Sequence, residues 1–139
     1  MLKLETFVTA VSATLLAVGV AFAAPLLEVT KAPAVPPLML KDVIGMPGKE
    51  VRVVMVDSPP GASSPVHRHN AQVFVYILSG SMTMQVAGSS PVTVGPGQTF
   101  YEGPGDVHAM SRNASDTEPA RFLAFLIMDK GAAVSVPLK

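Results

Sequence analysis

His67 and His69 flank Arg68 in the stretch Pro65 to Gly80 (PVHRHNAQVFVYILSG), and His108 stands in Gly103 to Met110 (GPGDVHAM). The chain holds 3 histidines, and these are all of them. Two rings at i and i+2 of an extended segment project from the same face, as two ligands of one ion must. Neutral imidazole is a frequent metal ligand, and three converging ring nitrogens with open positions suit Fe, Mn, Zn, Ni or Cu. An ion held in this way acts as a Lewis acid or binds substrate and dioxygen together. With 0 cysteines, thiolate ligands, Cys-held iron–sulfur clusters and a Cys nucleophile are excluded.

Bringing His108 opposite the first pair requires a fold that turns back on itself in short steps. From Glu50 onward the chain consists of β-branched and aromatic runs: 51–57 (VRVVMVD), 73–79 (VFVYILS), 81–87 (SMTMQVA), 92–94, 98–102, 107–112 and 120–128 (ARFLAFLIM). Gly and Pro punctuate the intervals, in DSPPGASSP, GSSP and two GPG triplets, where the chain must reverse. Seven or more short strands so spaced predict an all-β sandwich or barrel. In 81–87 the residues Met82, Met84 and Val86 share one face, so that face is expected to be buried, with the methionines as core filling. Asn113-Ala114-Ser115 matches the N-glycosylation acceptor pattern, a triplet frequent by chance.

Residues 1–23 (MLKLETFVTAVSATLLAVGVAFA) have the form of a secretory signal peptide, with Lys3, an apolar run and a small-x-small ending at Ala21-Phe22-Ala23. The run is short for a membrane span. A periplasmic or secreted location follows as an expectation, without stable membrane association once the leader is removed. Residues 24–48 contain Pro25, Pro33, Pro36, Pro37 and Pro47, a density that blocks helix and central strand and predicts an extended arm. The barrel is expected over 49–130, followed by a tail at 131–139. Lys+Arg and Asp+Glu both number 10, so no basic stripe draws the chain to nucleic acid.

The spacing of these residues resembles the cupin superfamily, in particular small single-domain bacterial cupins. The family's first motif runs Gly, five residues, His-x-His, three or four residues, Glu, six residues, Gly; Gly61, His67, His69 and Gly80 fall into it. The second runs Gly, five residues, Pro-x-Gly, two residues, His, three residues, Asn; Gly97, Gly105 and His108 match. All three histidines of the chain land on the histidine positions of the two motifs, and the resemblance spans about Glu50 to Met128. It implies a jelly-roll barrel, one divalent transition metal on His67, His69 and His108, a small-molecule ligand or substrate, and a homodimer paired through sheet edges.

The departures define the open questions. Val73 stands where the family has its glutamate, and valine cannot bind metal. Gln72 is the nearest polar residue, but a regular strand turns it away from the Val73 side. Glu102, just ahead of the turn leading to His108, is the other candidate. An inward carboxylate would itself argue for a cation. In the second motif Gly103 occupies the proline position and Arg112 the asparagine position, with Asn113 one residue late. The resemblance implies dioxygenase or isomerase and lyase chemistry, for which no general base stands out among Glu102, Tyr76 and Tyr101. The competing reading is a non-catalytic module that captures a small solute or a metal, with Met82, Met84 and Met110 lending a softer interior.

Overall fold

The computed structural model describes residues 36–138. The leader expected at 1–23 and the first part of the arm, 24–35, lie outside the described residues. Ten strands follow in order: β1 Met39–Asp42, β2 Lys49–Ser58, β3 His67–Arg68, β4 Ala71–Ser79, β5 Met82–Val86, β6 Val92–Val94, β7 Thr99–Glu102, β8 Val107–Asn113, β9 Ala120–Asp129 and β10 Val136–Pro137. Among the described residues there is no helix, so none is long and apolar enough to cross a membrane.

The strands form two five-stranded antiparallel sheets, one in the order β1-β2-β9-β4-β7 and the other β10-β3-β8-β5-β6. Alternation decides which side of each is buried. In β4, Ala71, Val73, Val75 and Ile77 are buried while Gln72, Phe74, Tyr76 and Leu78 are exposed. In β9, Ala120, Phe122, Ala124, Leu126 and Met128 are buried. These inward side chains meet Met82, Met84 and Val94 of the second sheet, giving the two-layer core that alternating strands require. Met82 and Met84 are core packing.

Seven strands coincide within two residues at either end with the runs of β-branched and aromatic residues. Three further ones, β1, β3 and β10, are two to four residues long and lack such a run. β1 lies within the Pro-rich stretch as an exposed edge strand against β2. Pro137 is tolerated in β10 because that strand is also an edge, where a missing N–H donor leaves no partner unpaired. At Gly80 (φ +68°) the turn from β4 approaches the chain so closely that a Cβ would stand 2.5 Å from the Pro119 carbonyl oxygen, which only glycine permits.

The late asparagine of the second motif has a local cause. Gln85 pairs with Met110 but Val86 pairs with His108, so β8 carries one extra residue, Ala109, as a bulge. His108 and Asn113 are five positions apart, yet both face inward and are buried. The bulge restores the parity that the insertion would break. Asn113 is fully buried: its amide nitrogen donates to the carbonyls of Pro59 (3.0 Å) and Glu118 (2.8 Å), with Ser58 O also at 3.0 Å, and its Oδ1 accepts from the Ser115 N–H at 2.9 Å. It pins the loop after β2 to the loop before β9, and its amide nitrogen is not presented as a glycan acceptor.

Candidate metal centre

His67 of β3 and His108 of β8 are direct cross-strand partners, so the two motifs meet in one ladder. His69 follows β3, anchored by the Gly105 N–H donating to its carbonyl at 2.9 Å. One nitrogen from each ring lies within 4.8 Å of the others. The site's three sequence-predicted histidines are therefore brought together, with His69 and His108 buried and His67 half-buried. Arg68 between them faces outward and is exposed.

The hydrogen bonds fix the rings' protonation. Nδ1 of His67 lies 2.7 Å from the Pro65 carbonyl oxygen, and Nδ1 of His69 lies 2.5 Å from that of Val134. A carbonyl only accepts, so each Nδ1 carries the proton and each Nε2 a lone pair. Those two Nε2 atoms face each other at 3.1 Å. Two lone pairs at that distance repel unless a cation lies between or beside them, and 3.1 Å is close to the roughly 3.0–3.4 Å separating neighbouring ligands of an ion bound at about 2.1 Å. Burial, the largest influence, holds His67 below its ordinary pKa, with the backbone bond to Pro65 opposing it. The neutral ring so favoured is the ligating form.

Glu102 is inward and 1% exposed. It stands on β7 directly opposite Val73 of β4, and so takes the same side of the sheet as the residue where the acid was expected. Its Oε1 is 3.1 Å from Nδ1 of His108, and its Oε2 is 3.9 Å from Nε2 of His69. Glu102 Oε2 and both ring nitrogens of His108 are buried and make no protein hydrogen bond. Buried polar atoms are ordinarily satisfied, and a carboxylate with three imidazoles is a donor set that a divalent transition metal satisfies. The residues present fit the ion.

Gln72 is not part of this centre. β4 is regular at that point, with Gln72 paired to Ile127 and exposed on the outer face, beside Lys49, Asn70 and Asp129. Tyr76 and Tyr101 likewise point outward, at 41% and 49% exposure, which removes both phenols as interior bases. Among the described residues Glu102 is the one carboxylate lining the cavity at the cluster. Two contributors carried no sequence signal: the main-chain carbonyls of Pro65 and Val134. Residues 131–138, expected as a tail, return to pair β10 with β3 and place Val134 in the cavity wall.

The cavity measures about 150 Å³, and apolar side chains of both sheets form most of its wall. The family model described as "Cupin domain" matches residues 54–126, more than half of the chain. This chain belongs to the cupin family. None of the curated proteins matches its sequence. Among solved structures, this cupin is similar to DMSP lyase DddQ from Ruegeria pomeroyi, with 27% identity and a TM-score of 0.53 over 65% of this chain and 43% of that one. It is also similar to a Klebsiella pneumoniae protein with a double-stranded β-helix domain, with 22% identity and a TM-score of 0.52 over 62% and 75% of the two chains. A third is the oxalate decarboxylase of Lactobacillus farciminis, with 19% identity and a TM-score of 0.54 over 63% and 26%. The cupin spans less than half the length of the DddQ and oxalate decarboxylase chains.

Proposed function

We propose that this cupin binds one divalent transition metal through His67, His69, His108 and Glu102, and uses it on a small molecule held in the barrel. The observation that carries the reading is the pair of His67 and His69 Nε2 lone pairs facing each other at 3.1 Å with both Nδ1 protons committed to carbonyls. Glu102 takes over the role of the acid absent at Val73. When bound, the ion supplies Lewis acidity toward a carbonyl or carboxylate, or a site for dioxygen. The chain's own residues orient the rings, exclude water with the apolar wall and offer Glu102 as the proton acceptor nearest the ion.

Likeness to DddQ at 27% identity supports a lyase- or isomerase-type reaction over a dioxygenase. The second reading, a binding module without turnover, draws on the absence of any phenol or second carboxylate among the described residues that line the cavity. Elemental analysis of the protein from its native compartment tests the metal. About one equivalent is expected, lost in His69→Ala with the β-sheet circular dichroism spectrum retained. Unchanged metal in that variant overturns the site. Product formation by the metal-loaded protein then separates enzyme from module.

Export to the periplasm or outside the cell is proposed from residues 1–23 alone. A homodimer is proposed from the outer face of the first sheet. Met39, Val53, Phe125, Phe74 and Tyr101 form one row across all five strands, and Phe74 and Tyr101 are 42% and 49% exposed with ring centroids 5.1 Å apart. Val51 with Ile127, and Met55 with Leu123 and Tyr76, continue the apolar surface to either side. These flanking rows span two and three strands, and Val53 is buried, so the bare apolar surface centres on Met39 at one edge of the sheet and on Phe74 and Tyr101 at the other. The ion pair Asp57–Arg121 rims one end, and Lys49–Asp129 and Asp42–Lys130 rim the other. With both signs at each end, a second copy related by a two-fold axis meets no block of like charge.

A further inference from the structure

We propose that the cavity selects a ligand with one anionic or polar head and an uncharged, apolar body, of up to about six non-hydrogen atoms in all. The head rests on the metal-site reading above; the body rests on the cavity walls alone.

The size follows from the volume. The cavity is about 150 Å³, and an apolar cavity of about that volume accommodates a benzene-sized molecule. The charge rule follows from the lining. Away from the cluster the walls are Val54, Val75, Phe122, Ala124, Leu126 and Met84 with their apolar neighbours, and among the described residues the polar side chains besides the cluster are two serines, Ser64 and Ser111. Among the described residues no Lys, Arg, Asn or Gln lines the space. The inward guanidinium of this sheet, Arg52, is committed to Glu50 at 2.8 Å and lies outside the lining.

A second charge on the ligand would therefore be buried against valines and phenylalanine with no partner, which is strongly unfavourable. At the cluster, three neutral imidazoles and the Glu102 carboxylate leave a divalent ion with one positive charge in excess, matched by one anionic head. Val73 contributes to this selection: the side chain that cannot ligate adds to the apolar wall. Ser64 and Ser111 also line an adjoining cleft of about 120 Å³ formed with the loop after β2.

Two carboxylates of about six non-hydrogen atoms test the rule. Butyrate and β-alanine share a head and a short chain, and differ in ending on a methyl or an ammonium. Each is titrated calorimetrically into zinc-loaded protein whose zinc content has been measured. Butyrate is expected to bind at least about tenfold more tightly than β-alanine; β-alanine binding as well as butyrate overturns the proposal. Ala124→Leu fills the cavity, so it is expected to lose butyrate while keeping its zinc. Butyrate retained by a folded Ala124→Leu places the ligand elsewhere and also overturns it. If the chain takes up no zinc, the metal reading fails instead, and butanol against 1,3-propanediol, both uncharged and equal in size, decides in metal-free protein whether the walls select an apolar body: butanol binding no better than the diol overturns it.

Discussion

Glu102 on β7 and Val73 on β4 are direct partners across the ladder, and both side chains line the cavity. Cross-strand partners lie about 4.5–5.5 Å apart, so a carboxylate moved from one to the other still reaches the space shared with His69 and His108. An acid can thus change strands while the centre keeps its charge. Glu102→Gln is expected to weaken metal binding by about 10- to 100-fold, measured by competition with a chromophoric chelator. The double variant Val73→Glu with Glu102→Val should recover part of that loss. Full affinity in Glu102→Gln would remove the carboxylate from the centre.

Acid should release the metal and also loosen the metal-free fold. The folded-state pKa of His67 lies below its ordinary value of 6.5, chiefly through burial. The unfolded chain therefore takes up the proton first as pH falls, so the contribution of His67 is full above about 6.5 and is lost as pH drops from there toward the lowered value. Thermal unfolding of the metal-free protein is expected to show a falling midpoint from pH 7 to pH 5, with a shallower slope in His67→Gln. An equal slope in both would assign the acid sensitivity to other groups.

The apolar row on the first sheet predicts the assembly. Phe74→Lys and Tyr101→Lys place charges on an outward face without touching the core, and each is expected to convert a dimer to a monomer in light scattering coupled to gel filtration. Metal content should stay unchanged, because neither residue lines the cavity. A wild-type chain that is monomeric at tens of micromolar concentration would show that nothing of its own kind covers the face.

Asn113 should matter for stability and not for the metal directly. Asn113→Ala leaves the carbonyls of Ser58, Pro59 and Glu118 without their donor in a buried setting, a loss expected to cost about 1–3 kcal/mol. Urea unfolding measures it. A loss well below that range would mean that water replaces the amide.

The centre was legible in the sequence where side-chain identity and spacing carried it. Three histidines at motif spacing named the cluster that could hold a metal, and strand alternation named the inward face of β4, including the outward turn of Gln72. The orientation of Glu102 was not legible, because strand parity does not pass through the turn at Gly103 to Gly105. The bulge at Ala109 was hidden for a related reason: an extra residue is visible only against the partner strand it fails to match. β1, β3 and β10 carry no such signal because strands of two to four residues are held by their neighbours' backbones and need no apolar run.

Sequence alone therefore determined the all-β class, the histidine set and the missing acid, since these depend on residue type and on local periods of two. Tertiary structure alone decided that Glu102 points inward opposite Val73, that Val134 and Pro65 set the histidine tautomers, and that no described residue beyond the cluster brings a charge into the cavity. Each of these depends on atoms far apart in the chain, and on backbone carbonyls that every residue type presents alike.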